Sequence, residues 1–159
     1  MLSGTEQAVE RRNQSHDLIQ DLISTRTEML ALYTRLAAKK PFTDDGSVGG
    51  LLQEFCEILV DYTASAHFRL YRFLDEKTER RRAVIETAHG IYPRIVQTTR
   101  AIVDFNDRYE TFENFAPPEL ERDLSWLGER LAERIELEDQ LVEVLTTRRA
   151  VWRQEGLDS

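Results

Sequence analysis

Four long stretches of helical periodicity constrain the fold of this chain more than any other feature. Apolar side chains recur every three or four residues over about 7–39, 48–77, 82–109 and 119–154, as they do in helices that bury one face. Four prolines and seven glycines in 159 residues leave few obligatory turns, which favours long helices over many short strands. The pattern predicts an all-α, antiparallel four-helix bundle with possible short extra helices.

Proline and glycine mark the breaks between these helices. The segment FTDDGSVGG makes the clearest loop, and TFENFAPPE separates the third helix from the fourth. Pro117 and Pro118 are well placed to begin the fourth helix. Pro93 lies inside the third helix and predicts a kink or a restart there.

Composition limits the cellular context and the partners. The net charge is −8, and because an acidic surface repels phosphates we expect no direct nucleic-acid binding and a basic protein surface as partner. The chain opens without a signal peptide and holds no long apolar run, which predicts a cytoplasmic protein that does not span a membrane. We expect a single, monomeric domain over 1–159 with flexible ends at about 1–6 and 155–159. The lone Cys56 is expected to be a small buried hydrophobe.

Two charged residues fall inside apolar stripes. Arg26 interrupts the stripe of the first helix, and Glu138 interrupts that of the fourth. Because an unpaired buried charge is costly, we predict that they meet across the bundle, directly or through Tyr62, His67 or water. We call Arg26, His67 and Glu138 the interior polar cluster. It is either a satisfied interior pair that fixes the helix register or the wall of a polar cavity.

The second helix carries an unusual face opposite its main apolar stripe. This face combines an acid, small side chains and an aromatic ring, which is typical of an interface hot spot with a charged rim. If the first or third helix covers this face, Phe68 is instead part of the core, and periodicity leaves both interpretations open. The predicted partner-binding residues, here called the partner arc, are Asp61, Ala64, Ser65, Phe68, Tyr71 and Arg72.

The sequence contains no motif that points to catalysis. It has a single Glu-x-x-His spacing, Glu86 and His89, where di-metal helical bundles use two, and it has no His-x-x-x-His pair and no cysteine cluster, so no metal site is predicted. The segment GSVGG matches neither the phosphate loop nor the dinucleotide fingerprint, and no Gly-x-Ser-x-Gly elbow occurs. We therefore expect a protein that is not an enzyme and holds no cofactor; a metal-dependent enzyme is the unsupported alternative.

An ordered set of segments extends over nearly the whole chain, from about Glu10 to Leu145. They are ERRNQSHDLI, LYTRLAAKKP, FCEILVDYTASAHFRLY, IYPRIVQTTRAIVDFND and ERIELEDQLVEVL. Together with Arg26 they resemble the Rsd/AlgQ family of regulators of the primary sigma factor. Within its pattern, Asp61, His67 and Phe68 match the family's VDY…HF, and Glu138 matches the acid of its LED.

The resemblance implies an all-α bundle that binds domain 4 of the primary sigma factor. That domain is a basic helix-turn-helix module that reads the −35 promoter element and contacts core RNA polymerase. An anti-sigma factor bound to it masks both surfaces and shifts polymerase toward alternative sigma factors. The resemblance implies that Asp61 pairs with an arginine or lysine of the sigma factor and that Phe68 fills an apolar pocket.

The chain departs from the family pattern beside the partner arc. The family usually reads Asp-Tyr-x-Ser-Ala-Gly-His-Phe, whereas this chain has Ala64 and Ala66 in place of the serine and the glycine. Arg72 stands where the family often has glutamate, so a hydroxyl is lost and a charge is reversed. Two alternatives stay open: a divergent member with a different protein partner, and a ligand-sensing bundle whose pocket is lined by the interior polar cluster.

Overall fold

The computed structural model describes residues 4–43, 46–71, 82–111 and 116–146, and within these ranges the chain is helical without strands. The all-α prediction is confirmed. A π-helical segment, Ala66–Tyr71, continues directly from the second long helix. The long helices are α1 (Gly4–Ala37), α2 (Gly49–Ser65), α3 (Arg82–Tyr109) and α4 (Pro117–Thr146).

The helix ends agree with the periodicity to within a few residues. α3 runs through Pro93 as one helix, so the predicted restart at that proline is wrong. α4 begins at Pro117, as the proline pair predicts. The predicted helical residues 72–77 and 147–154 lie outside the described residues. No helix among the described residues is long and apolar enough to cross a membrane.

Contacts along α1 and α4 show that these two helices run antiparallel. Arg26 in the middle of α1 contacts Asp139 in the second half of α4. Further along α1, the Tyr33 hydroxyl donates a hydrogen bond of 2.9 Å to the Leu124 carbonyl oxygen, near the start of α4. The order of contacts is therefore reversed between the two helices.

α3 and α4 also run antiparallel, and an ion pair closes the end where they connect. Arg94 lies 3.5 Å from Glu133, whereas Arg108, later in α3, lies 2.6 Å from Asp123, earlier in α4. Asp123 also accepts a hydrogen bond from the Tyr109 hydroxyl. Burial alone raises the pKa of Asp123, but the hydrogen bonds from Tyr109 and Arg108 outweigh it and hold this pKa below its ordinary value.

The four long helices share one apolar core. Phe55 of α2 is fully buried, and its ring packs edge-on against Tyr33 of α1 at 5.9 Å and Phe105 of α3 at 6.0 Å. Cys56 is buried beside it, which confirms its prediction as a small hydrophobe. Burial, with smaller contributions from nearby carboxylates, raises the pKa of this thiol to about 12, so it is protonated at neutral pH.

The Tyr33 side chain of α1 lies directly against Gly128 of α4. A Cβ atom at Gly128 would lie 2.2 Å from Tyr33 Oη and 2.9 Å from Tyr33 Cζ. Burial raises the pKa of Tyr33, which keeps its hydroxyl protonated as the donor to Leu124. The ring and its hydrogen bond thus occupy the space that any larger residue at position 128 needs.

Replacing Gly128 by alanine should destabilise the protein. Overpacking of this kind costs about 1–3 kcal/mol, which outweighs the gain in helix propensity of about 1 kcal/mol. The control is Gly90→Ala in α3, where an added Cβ meets nothing within 4 Å and only the propensity gain applies. Urea unfolding of both variants measures the difference; equal effects would contradict the close approach at Gly128.

The Asp123 ion pair predicts a specific loss of stability in acid. Because the pKa of Asp123 is lower in the folded protein than in the unfolded chain, its carboxylate stabilises the fold above the unfolded value of about 3.9. This contribution disappears as the pH falls through the lowered folded pKa. Asp123→Asn should therefore be less stable than wild type at neutral pH, and the difference should shrink as the pH falls from about 7 to below the unfolded value of about 3.9.

Urea unfolding across this pH range provides the measurement. The matched control is Asp104→Asn, at an exposed position of α3, which should change stability little at any pH. A difference between wild type and Asp123→Asn that stays constant with pH would refute the role of the carboxylate.

Candidate functional site: an apolar groove above a buried polar cluster

Polar side chains from different helices meet in the centre of the protein. Glu138 of α4 is fully buried, and its Oε1 accepts a hydrogen bond of 2.6 Å from the Tyr62 hydroxyl of α2. Arg26 Nη1 of α1 lies 3.7 Å from the same oxygen and 2.9 Å from Asp139 Oδ1. The structure thus brings Arg26 and Glu138 together as the sequence predicts, with Tyr62 as the third member.

Arg134 is a second buried charge, which the sequence analysis did not identify. Its side chain is 1% exposed, and its Nε lies 3.3 Å from Glu138 Oε2, one turn further along α4. Its Nη1 donates hydrogen bonds to Thr99 Oγ1 at 2.8 Å and Thr98 Oγ1 at 3.2 Å, and its guanidinium lies 5.5 Å from the centre of the Tyr62 ring. Arg134 therefore balances the charge of Glu138 and connects α3 to α4.

The phase of the α4 stripe explains why Arg134 was missed. Ile135, which helical periodicity with Leu124, Leu127 and Leu131 places in the apolar stripe, is only half-buried, whereas Leu137 is fully buried. The buried face is therefore turned slightly, which brings Arg134 to its centre. A signal was available in the sequence, because Arg134 precedes Glu138 by four residues and opposite charges at that spacing face each other.

His67 does not belong to the interior polar cluster, so that part of the prediction is wrong. Its side chain is exposed, and its ring packs edge-on against Phe68 at 5.2 Å. The physical reason is local: His67 directly follows the buried Ala66, and one residue of helix turns the side chain by about 100° away from the core stripe.

An open groove with a volume of about 430 Å³ lies between α2 and α3. Its floor is polar and includes Thr99, Asn106 and Arg134, but neither Arg26 nor Glu138 lines it. Its walls are mainly apolar. Large apolar side chains that the protein exposes to solvent lie along it, namely Val60, Phe68, Tyr92 and Val103.

The structure shows whether Phe68 of the partner arc is exposed or part of the core. Phe68 is 61% exposed, so the interpretation in which a neighbouring helix buries it is wrong. Ala64 lines the groove together with Phe68, whereas Asp61 and Ser65 are not part of its lining. Asp61 is exposed and Ser65 half-buried. The side chain of Tyr71 and the whole of Arg72 lie outside what the structure describes, so their roles stay predictions.

A row of carboxylates runs beside the groove along α2. Glu54, Glu57 and Asp61 are all exposed, and their spacing of three and four residues puts them on one side of the helix. Asp61 in turn precedes Ala64 by three residues and Phe68 by seven, so this row, here called the acidic edge, borders the apolar wall. Among the described residues, no three His, Cys, Asp or Glu side chains are grouped to hold a metal ion.

No binding residues on α3 were predicted from the sequence, although this helix forms one wall of the groove. Tyr92, Val96, Thr99 and Val103 recur at helical spacing, and this second stripe lies beside the one that α3 buries in the core. An exposed apolar groove bordered by charges is typical of proteins that bind another macromolecule. The fold and the groove thus define the class of an all-α protein with an exposed apolar groove between two of its helices.

Comparison with known proteins identifies the family. The family model described as "Regulator of RNA polymerase sigma(70) subunit, Rsd/AlgQ" matches residues 1–146. A protein named Regulator of sigma D from Yersinia pseudotuberculosis serotype O:1b (strain IP 31758) is 32% identical over 148 residues, covering 90% of this chain and 88% of its own. The chain belongs to the Rsd/AlgQ family, which confirms the resemblance inferred from its segments.

Further relatives support the same assignment. Regulator of sigma D from Yersinia enterocolitica serotype O:8 / biotype 1B (strain NCTC 13174 / 8081) is 32% identical over 150 residues, covering 90% of this chain and 89% of its own. The protein of that name from Enterobacter sp. (strain 638) is 31% identical over 148 residues, covering 89% and 88%. The comparison with solved structures gave no match.

Glu138→Gln should destabilise the protein strongly while preserving its shape. The substitution removes the negative charge that faces the buried Arg134, and breaking a buried ion pair on one side costs about 3–5 kcal/mol. The adjacent Asp139 provides a matched control, because it contacts Arg26 but is 57% exposed. Asp139→Asn should cost less than about 1 kcal/mol.

Chemical denaturation at neutral pH measures both free energies of unfolding. A loss for Glu138→Gln no larger than that for Asp139→Asn would show that the buried carboxylate does not hold the helices together.

Proposed function

We propose that this protein regulates RNA polymerase by binding domain 4 of the primary sigma factor through the partner arc. The observation that carries the proposal is Phe68, a large aromatic side chain that is 61% exposed in an apolar groove. Membership of a family described as regulators of the sigma(70) subunit supports it, and so does the name Regulator of sigma D given to its relatives.

Binding follows from two kinds of contact. Phe68 supplies an apolar anchor that inserts into a pocket of the partner, and the small side chains of Ala64 and Ser65 leave a depression next to it. Asp61 forms a charge-assisted hydrogen bond with an arginine or lysine of the sigma domain. The net charge of −8 attracts a basic domain over longer distances and raises the rate of association.

The consequence for transcription is competition. Domain 4 uses its surfaces to read the −35 promoter element and to contact core polymerase, as the family resemblance implies. A bound regulator covers these surfaces and reduces the fraction of polymerase that carries the primary sigma factor. Because the effect is stoichiometric, it depends on the amount of regulator relative to sigma factor.

The departures from the family pattern have unequal weight in this proposal. Ala66 is 1% exposed, so the replacement of the usual glycine changes the interior and no contact with a partner. Ala64 lines the groove, so the missing serine hydroxyl removes one hydrogen-bonding group from the binding surface itself. We therefore attribute any loss of affinity relative to other members to position 64 rather than to position 66.

Phe68→Ala should weaken binding to domain 4 of the protein's own primary sigma factor by about 2 kcal/mol or more, roughly thirty-fold. The fold should not suffer, because the side chain is mainly exposed. Calorimetric titration at two salt concentrations measures the affinity, which should fall as salt rises. Trp126→Ala is the matched control: this aromatic is 47% exposed on α4 and does not line the groove.

Two results would count against the proposal. Equal binding by folded Phe68→Ala and by wild type removes Phe68 from the interface. Absence of binding by wild type at high micromolar concentration removes domain 4 as the partner, and the alternative of a divergent member with another protein partner then takes precedence.

A further inference from the structure

We infer that the groove between α2 and α3 receives one amphipathic α-helix of the partner, with its apolar face in the groove and a basic flank along the acidic edge. The natural source of this helix, sigma domain 4, rests on the proposed function. The inference adds the α3 wall, with Tyr92 and Val103, as part of the binding surface. It also states which side chains of the partner helix contact each part of the surface: apolar ones enter the groove, and basic ones lie along the acidic edge.

The first argument is the lack of open backbone hydrogen-bonding groups. Both walls are helices, whose backbone N–H and C=O groups are paired within the helix, so the groove has no strand edge to which a peptide strand could add. Two polar side chains in the floor are already engaged: Thr99 donates a hydrogen bond to the Ile95 carbonyl oxygen and accepts one from Arg134. An occupant of these apolar walls must satisfy its own backbone, and an α-helix does so.

The second argument is size. Along α3 the lining extends from Tyr92 to Asn106, which corresponds to roughly 21 Å at about 1.5 Å per residue, or about four helical turns. A volume of about 430 Å³ holds a row of apolar side chains rather than a whole helix. The helix therefore lies over the groove and inserts residues at positions i, i+4, i+7 and i+11.

The third argument is the unequal charge of the two sides. On α2 the acidic edge presents Glu54, Glu57 and Asp61, all exposed and all of one sign. On α3 the exposed positions next to Val103 carry both signs, with Arg100 and Asp107. Only the α2 side thus has a strong preference for one sign of charge. It favours lysine or arginine on the flank of the partner helix that faces it. This asymmetry sets the rotation of the bound helix about its axis.

Substitutions on α3 test the inference, since the described residues of the partner arc lie on α2 and on the π-helical segment that follows it. The double variant Tyr92→Ala/Val103→Ala should bind sigma domain 4 at least ten-fold more weakly than wild type. Trp126→Ala should bind within about three-fold of wild type, since truncation of a residue outside the interface costs little. Glu57→Lys should weaken binding and reduce its salt dependence, whereas Arg100→Glu should have a much smaller effect.

A designed peptide separates the groove from the identity of the partner. The probes are two helical peptides of about fifteen residues, or four turns, with leucine on one face and either lysine or glutamate on the other. The lysine peptide should bind wild type, measured by fluorescence anisotropy, and should bind the Tyr92→Ala/Val103→Ala variant at least ten-fold more weakly. The glutamate peptide should not bind. Circular dichroism confirms that each variant is folded.

The outcomes distinguish the two proposals. Wild-type affinity for domain 4 in the α3 double variant overturns the helix-in-groove inference and leaves the proposed function standing. Binding of the lysine peptide that depends on Tyr92 and Val103, with no binding of domain 4, upholds the groove and overturns the proposed partner. If the lysine and glutamate peptides bind equally, or if the lysine peptide binds the double variant as well as wild type, the inference is wrong.

Discussion

The ion pair between Arg134 and Glu138 is the interaction on which the arrangement of the four helices most depends. Both side chains are almost fully buried, at 1% and 0% exposure, so neither charge can be satisfied by bulk water. Glu138 takes its remaining partners from α1 and α2, and Arg134 takes its own from α3. One buried pair on α4 therefore specifies how the other three helices are placed, because a shift of any of them would leave a charge unpaired in the core.

The sequence predicts those features that each helix determines by itself. Apolar periodicity locates the four long helices because every one of them buries a single stripe, and Arg26 and Glu138 are recognisable as charges inside such stripes. His67 was misplaced although it is about 100° of helical rotation from the buried Ala66, which already takes it off the core stripe. The groove itself could not be predicted, since it requires knowing that Val60 of α2 faces Val103 of α3 across a gap, which is a property of the packing between helices.

The local change of helix type at Ala66 has a consequence for the surface. Ala66 is buried, but the two residues after it, His67 and Phe68, are both exposed. The π-helical segment begins at this point and presents an aromatic pair to solvent at the end of the groove. A π-helical turn inside an α-helix is found frequently at functional sites, and here it coincides with the most exposed aromatic side chain of the partner arc.

The balance of charge in the groove explains why it can be selective without being strongly charged inside. Arg134 lines the floor, but Glu138 neutralises it and Thr98 and Thr99 accept its hydrogen bonds. A charged group of a partner that entered the floor would lose its water without gaining a free counter-charge, which is unfavourable. Apolar anchors are therefore favoured inside the groove. Discrimination by charge is left to the acidic edge, where Glu57 and Asp61 stay hydrated and salt can screen them. Affinity and specificity thus come from different residues of the same surface: the aromatic and aliphatic walls hold the partner, and the carboxylates decide which partner approaches and in which orientation.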